Sequence, residues 1–314
     1  MNKSAIYIFT CNRTMELKRL LHELYTIKIN YVIYIIDDSN NIEYIKNNII
    51  SINKYSNATY LGARQYWDFY SMNGKSNHSQ LLGDETWNLG IARNFALDHS
   101  TLLGYEKVLF VDDDISGIGE KVIEVGFESL IGNCFVSCSL KGVEDDSIVG
   151  HIAKQVGVIV EGPKMLSGGF LFLSPSSITH RFYNIYNEDW ILQLLEKEME
   201  QLIIPYTVFH SMNQEVEWTI DKAVFQELGE LAINGLFENY QALSMDYSFW
   251  GNVLAKRIKF IEKINERSLD LRNHHGHRIC IRLLEWLKQL DGHSLQKSLE
   301  QKNSHMYFSK SIEN

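Results

Sequence analysis

The sequence predicts an α/β protein: a mostly parallel sheet covered by helices, followed by a helix-rich C-terminal region. Three observations carry this. Strand-like apolar runs alternate with helix-like patterns from Ala5 to Val111, the order expected of a helix-covered parallel sheet. YVIYII (Tyr31–Ile36) is apolar throughout, as suits a strand covered on both faces. Beyond about Glu217, helical patterns dominate.

Taken in order, AIYIFT (Ala5–Thr10) reads as the first strand, and leucines at 17, 20, 21 and 24 mark a helix near Met15–Thr26. Tyr31–Ile36 is the second strand, Asn40–Ser51 a second helix and Ala58–Leu61 a short third strand. A polar loop, Ser71–Gln80, precedes a helix expected over Asp84–His99, where Trp87, Ile91 and Phe95 share a stripe beside Ala92 and Ala96. Lys107–Val111 is the next strand, and Cys134–Leu140 and Gly168–Ser174 are two more. Helices are expected over Asn187–Glu200, Trp250–Arg267 and Arg278–Leu290, with a polar, fraying tail after Asp291.

The 314 residues, 45% hydrophobic, suffice for one large domain or two modest ones. No linker-like composition divides them, and the expected organisation is an α/β region over 1–215 with a helical region over 216–314 packed on it. A net charge of -9 argues against nucleic acid as a partner. The four cysteines (Cys11, Cys134, Cys138, Cys280) form no CxxC pair, so neither a disulfide framework nor a zinc–thiolate cluster is indicated. The N-terminal run lacks a signal-peptide pattern, and no apolar stretch would span a bilayer. A cytoplasmic location is therefore expected, with peripheral membrane contact and oligomeric state left open.

Ligands of open α/β sheets bind beyond the carboxyl ends of the strands. The residues at those ends are Thr10–Arg13, Asp37–Asn40 and Asp112–Asp114. In KVLFVDDDISG, strand alternation would put Asp112 and Asp114 on one face and Asp113 on the other. A pair of carboxylates on one face suits a hard divalent cation, Mg²⁺ or Mn²⁺, shared with substrate phosphates; a solvated strand-to-loop junction explains the same letters. Arg93, on a helix with few exposed-looking positions, suits a phosphate or a neighbouring aspartate. Asp37 and Asp38 suit a base or ribose, or else cap a turn.

Neither GxGxxG nor GxxxxGK[ST] follows a strand, so the dinucleotide fingerprint and the P-loop are missing. In NEDW, Asn187 is a natural N-cap and the acids at 188 and 189 suit a helix start; alternatively Asp189, or Glu188, is a general base. Gly168 and Gly169 would allow close approach of a ligand to the backbone, or simply form a turn. His274, His275 and His277, with His210 after a strand-like run, could complete a metal site or remain solvated. Tyr66, Trp67 and Tyr70 could stack on a sugar or pack.

TCNR (Thr10–Arg13), IIDDSN (Ile35–Asn40), NLGIARNFAL (Asn88–Leu97), LFVDDD (Leu109–Asp114), SGGF (Ser167–Phe170) and NEDW (Asn187–Trp190) together resemble the GT-A glycosyltransferases, particularly family-2-like nucleotide-sugar-dependent enzymes. The set covers about residues 4–200, in the expected order. The resemblance implies a GT-A-like, Rossmann-like fold with a nucleoside-diphosphate sugar as donor and Mn²⁺ or Mg²⁺ as cofactor. It places Thr10, Arg13, Asp37, Asp38, Arg93, Asp112 and Asp113 in the nucleotide site. Asp114 becomes the metal ligand, with Asp112 beside it and His275 or His277 as further ligands, and Asp189 the catalytic base.

The implied reaction is transfer of the sugar, with inversion, to an unidentified acceptor hydroxyl. Two other readings share the crevice: a sugar-phosphate nucleotidyltransferase, and a nucleotide-sugar-binding module without catalysis. DDDIS is also similar to the DxDx(T/V) loop of haloacid-dehalogenase-like phosphohydrolases, though Ser116 stands where threonine or valine is required.

Overall fold

The computed structural model describes residues 3–28, 30–62, 65, 89–132, 134–142, 147–159, 165–210, 218–242 and 245–302. The Ser71–Gln80 loop, residues 84–88 of the expected helix, and Tyr66, Trp67 and Tyr70 lie outside them.

Eight strands form one sheet: β1 (Ser4–Thr10), β2 (Val32–Asp37), β3 (Ala58–Gly62), β4 (Lys107–Asp112), β5 (Ile115–Ser116), β6 (Cys134–Gly142), β7 (Phe170–Leu173) and β8 (Glu200–His210). Their order is β3-β2-β1-β4-β7-β6-β8-β5. The β3-β2-β1-β4 half is parallel, whereas β7 runs antiparallel to both its neighbours and β5 antiparallel to β8. The sheet is therefore mixed, more so than the alternating pattern suggested.

Among the described residues ten α-helices surround it: α1 (Thr14–Thr26), α2 (Ile42–Ile52), α3 (Leu89–Leu102), α4 (Glu120–Ser129), α5 (Ile148–Gln155), α6 (Glu188–Leu195), α7 (Ile220–Glu238), α8 (Tyr247–Asp270), α9 (His274–Leu287) and α10 (Gly292–Lys302). Strand alternation sorts the two faces. Ile6, Ile8, Leu109 and Val111 pack with α1 and α4, while Ala5, Tyr7, Phe9, Val108 and Phe110 pack with α3. A third apolar cluster joins α5 to α7, α8, α9 and α10. The expected helix from Asn187 is shorter, because Glu200 already begins β8, and the tail after Asp291 forms α10 where fraying was expected.

Two local features aim residues at the sheet's carboxyl end. Pro205 has no N–H for the β6 ladder, and the register skips there: Cys138 faces Ile204 but Ser139 faces Thr207. That bulge brings His210 opposite Gly142, while β5 sets Ile115 opposite His210 on the other side. In α7, Gly229 lets one backbone meet another, since a Cβ there would lie 2.1 Å from the Tyr186 carbonyl oxygen.

Candidate active site

A cavity of about 650 Å³ opens beyond the carboxyl ends of β1, β2 and β4. It is lined by Thr10, Arg13, Asp38, Arg93 and Asp112–Asp114, together with Asp189 and His210. Parts scattered over two thirds of the chain thus meet in one place.

β4 ends at Asp112, so the alternation that would pair Asp112 with Asp114 stops one residue early. The three carboxylates divide between two arginines instead. Arg13 bonds Asp113 Oδ1 at 3.1 Å and Asp114 Oδ2 at 2.6 Å. Arg93 donates Nη2 to Asp112 Oδ1 at 3.1 Å, and its Nη1 lies 2.8 Å from Glu188 Oε1. Thr10 donates to Asp113 Oδ2 at 2.6 Å, and Arg19 donates to the carbonyls of Asp113 and Ile115. The acidic turn is held from both sides.

The environments of these acids differ. Burial pushes the Asp113 carboxyl up to about 7 despite Arg13 and Thr10. Asp112 is also raised by burial, against the pull of Arg93. For Asp114 burial acts upward too, but His210 and Arg13 outweigh it and hold the group below its ordinary value. His210 Nε2 stands 3.2 Å from Asp114 Oδ1, so this carboxylate stays charged with an imidazole beside it.

Arg93 lies fully inside the protein, its guanidinium 5.6 Å from the Phe9 ring and 5.8 Å from the Phe182 ring. α3 can deliver it there because Gly90 touches the Tyr183 carbonyl and Asn94 exchanges two 2.9 Å bonds with the Phe182 backbone. Its partner Glu188 is raised by burial even so. On the next residue, Asp189 Oδ2 accepts from the Gly168 N–H at 2.6 Å and Oδ1 from the Trp190 N–H at 2.9 Å. Gly168 must be glycine for this: a Cβ would lie 2.3 Å from Arg93 Nη1 and 2.6 Å from Asp189 Cβ.

Asn187, just before α6, has left-handed backbone (φ 62°) without a side-chain cap, unlike the N-cap geometry expected of it. Asparagine tolerates this region better than most residues. Its amide donates to Glu230 Oε1 at 3.4 Å, and Glu230 belongs to a buried group with Arg257 and Glu227. The C-terminal helices thereby reach the turn that carries Glu188 and Asp189.

Some residues named from sequence lie elsewhere. Asp37 is 1% exposed, with Oδ1 taken by the Ser39 N–H and Oδ2 by Asn48, so it secures the β2–α2 turn and only Asp38 lines the cavity. His275 and His277 occupy the first turn of α9, where His275 stacks on Trp218 with centroids 5.8 Å apart; neither lines the cavity. The histidine beside the acids is His210, which the sequence named only as one candidate among several. Cys11 also lines the cavity, its thiol pushed up to about 11 by burial and by Asp38 and Asp37.

No protein-family model matches the chain, and no curated protein sequence matches it. Solved structures do. Glucosyl-3-phosphoglycerate synthase from Mycobacterium tuberculosis, solved with Mn²⁺, UDP and phosphoglyceric acid, is 12% identical with a TM-score of 0.50 over 74% of this chain and 78% of that one. The mannosyltransferase PcManGT from Pyrobaculum calidifontis, solved with GDP-Man and Mn²⁺, is 11% identical with a TM-score of 0.51 over 90% of this chain and 85% of that one. The chain therefore has the GT-A-type fold of nucleotide-sugar glycosyltransferases.

Proposed function

We propose that this chain is a metal-dependent glycosyltransferase, moving a sugar with inversion from a nucleoside-diphosphate sugar to an acceptor hydroxyl. The observation that carries the reading is the convergence of the Asp114–His210 pair and Asp189 on one cavity, at the carboxyl ends of the strands. The fold supports it as the architecture in which the similar enzymes hold Mn²⁺ with UDP or GDP-Man.

The donor set fits Mn²⁺ or Mg²⁺. Asp114 is charged, His210 presents a ring nitrogen, and Asp112 supplies a further carboxylate nearby. Among the described residues no three His, Cys, Asp or Glu side chains form a closed metal cluster. Such ions commonly keep substrate phosphate and water among their ligands, so an incomplete protein set is what a shared site requires. When bound, the ion would neutralise charge on the departing diphosphate.

The chain's own residues supply the remainder. Thr10, Arg13 and Asp38 line the nucleotide side. Asp189, held by two backbone N–H groups, accepts the proton of the acceptor hydroxyl. The hydroxyl oxygen forms its bond to the anomeric carbon as the bond to the diphosphate oxygen breaks, and that oxygen takes the electron pair. Glu188 is the weaker choice as base, because its carboxylate is already engaged by Arg93.

The experiment is nucleotide release from UDP-glucose and GDP-mannose, with and without Mn²⁺, over an acceptor panel, with the product's anomeric configuration read by NMR. Retained configuration would refute inversion. Donor binding without transfer or hydrolysis would favour a binding module, and formation of a nucleotide sugar from a nucleoside triphosphate would favour the nucleotidyltransferase.

A further inference from the structure

The cavity's lining comes from two parts of the fold with different chemistry. One, at the carboxyl ends of β1 and β2, supplies Thr10, Arg13 and Asp38. The other supplies His151 of α5, Tyr186 from the segment before α6, and Asp221, Lys222 and Phe225 of α7. We propose that this second set of residues takes a neutral, polyhydroxylated acceptor, a saccharide, and excludes phosphorylated or carboxylated ones. This rests on the transferase reading above.

Charge is the first argument. A small acceptor carrying a phosphate and a carboxylate needs clustered cations, typically a bidentate arginine. The arginines lining the cavity are already bonded: Arg13 to Asp113 and Asp114, and Arg93 to Asp112 and Glu188. Among the described residues lining the cavity, Lys222 is the single lysine or arginine outside these pairs, and Asp221 precedes it. Asp189 lines the cavity as a further carboxylate. An anion arriving there meets at least as much negative charge as positive.

Shape is the second argument. The Phe225 and Tyr186 rings and the His151 imidazole offer flat, weakly polar surfaces. His151 is backed by Trp218 at 6.1 Å and 26° between planes, and Trp218 is backed in turn by His275 at 5.8 Å and 25°. This three-ring stack ties α5 and α9 to the start of α7 and makes a firm platform. The C–H face of a pyranose packs on such a surface, while a carboxylate such as Asp221 accepts hydrogen bonds from its hydroxyls. Sparse, directional polar groups on aromatic walls are the usual pattern of a small-molecule site.

The test uses the full chain in two stages. Calorimetry with UDP and GDP in Mg²⁺ first establishes the nucleotide complex; if neither binds, the transferase reading and this inference fall together. On the complex, saturation-transfer NMR then compares the methyl glycosides of glucose, galactose and mannose with 3-phosphoglycerate and glucose 6-phosphate. Mg²⁺ replaces Mn²⁺ because it does not broaden the signals. At least one methyl glycoside should bind, and the anions about tenfold more weakly or not at all.

Phe225→Ala should weaken the saccharide without changing nucleotide affinity, and Asp221→Lys should shift preference toward 3-phosphoglycerate. Nucleotide binding with 3-phosphoglycerate or glucose 6-phosphate held as well as the glycosides would overturn the inference and leave the transferase reading standing. Failure of every glycoside to bind the nucleotide complex would overturn it as well.

Discussion

His210 Nε2 lies 3.2 Å from Asp114 Oδ1, although one residue ends β8 and the other sits in the turn after β4. Strand pairing makes the contact: β5 follows Asp114 at once, and its Ile115 is the partner of His210 in the ladder. Under the proposed function this pair is the protein's share of the metal site. Asp114→Ala should abolish metal-dependent turnover with the fold intact, and His210→Ala should weaken Mn²⁺ affinity by about 10- to 100-fold. Mn²⁺ titration in the presence of UDP or GDP, read by electron paramagnetic resonance, measures both. Unchanged Mn²⁺ binding in both variants would remove the metal role.

Asp189→Asn keeps the size of the side chain and one of its two backbone N–H contacts, because the amide NH₂ cannot accept, and it cannot take a proton. Turnover should fall by about 10²- to 10⁴-fold while nucleotide affinity, measured separately by calorimetry, stays the same. A change confined to donor affinity would speak against the base.

Glu188 and Asp113 set an expected pH dependence of stability. Burial raises Glu188 from 4.5 to about 8 and Asp113 from 3.8 to about 7. Between the ordinary and raised values, the folded chain holds protons that the unfolded chain has released. Stability from these groups therefore declines as pH rises from about 5 toward 8. Asp114 works in the opposite sense, but only at and below its ordinary 3.8. With metal chelated, the melting temperature should drop over pH 5–8, and Glu188→Gln should flatten the drop. A melting temperature that climbs over this range would contradict the argument.

Gly168→Ala places a methyl group against Arg93 Nη1 and Asp189 Oδ2, at 2.3 and 2.7 Å. The expected cost is about 1–3 kcal/mol of stability, visible in denaturant unfolding. Turnover should fall beyond what that loss explains, since the same methyl displaces Asp189. Full activity in a destabilised variant would separate the two effects and disprove the second.

Glu230→Ala should leave nucleotide affinity unchanged while lowering turnover about tenfold, because Asn187 loses the side chain that steadies the turn before Asp189. Glu230→Gln keeps an acceptor for the Asn187 amide and should recover most of that loss. Equal damage from both variants would point to the Arg257 ion pair rather than to Asn187.

The parallel half of the sheet was readable because each strand is a short apolar run that stops on polar residues, and those polar ends mark the cavity. Arg93 stood out as the single lysine or arginine on a helix with few exposed-looking positions. His210 did not, because its place depends on pairings with β6 and with a two-residue strand too short to leave a pattern. One usable signal existed: TVFH ends a strand on a polar side chain, the rule that marked Asp112. Asp37 and Asp38 could not be told apart, since which of two adjacent acids turns inward was decided by Asn48 on the following helix. HHGH drew attention by density alone, yet it opens α9, away from the acids.

The contact of Gly229 with the Tyr186 carbonyl bears on exchange between related folds. A helical tail borrowed from another protein of this fold could reproduce every apolar position of α7 and still fail. Any residue larger than glycine at 229 would wedge the helix outward, and Tyr186, Asn187 and Asp189 would lose their support. Grafts onto this scaffold should therefore carry α7 and residues 182–195 together, as one inherited piece.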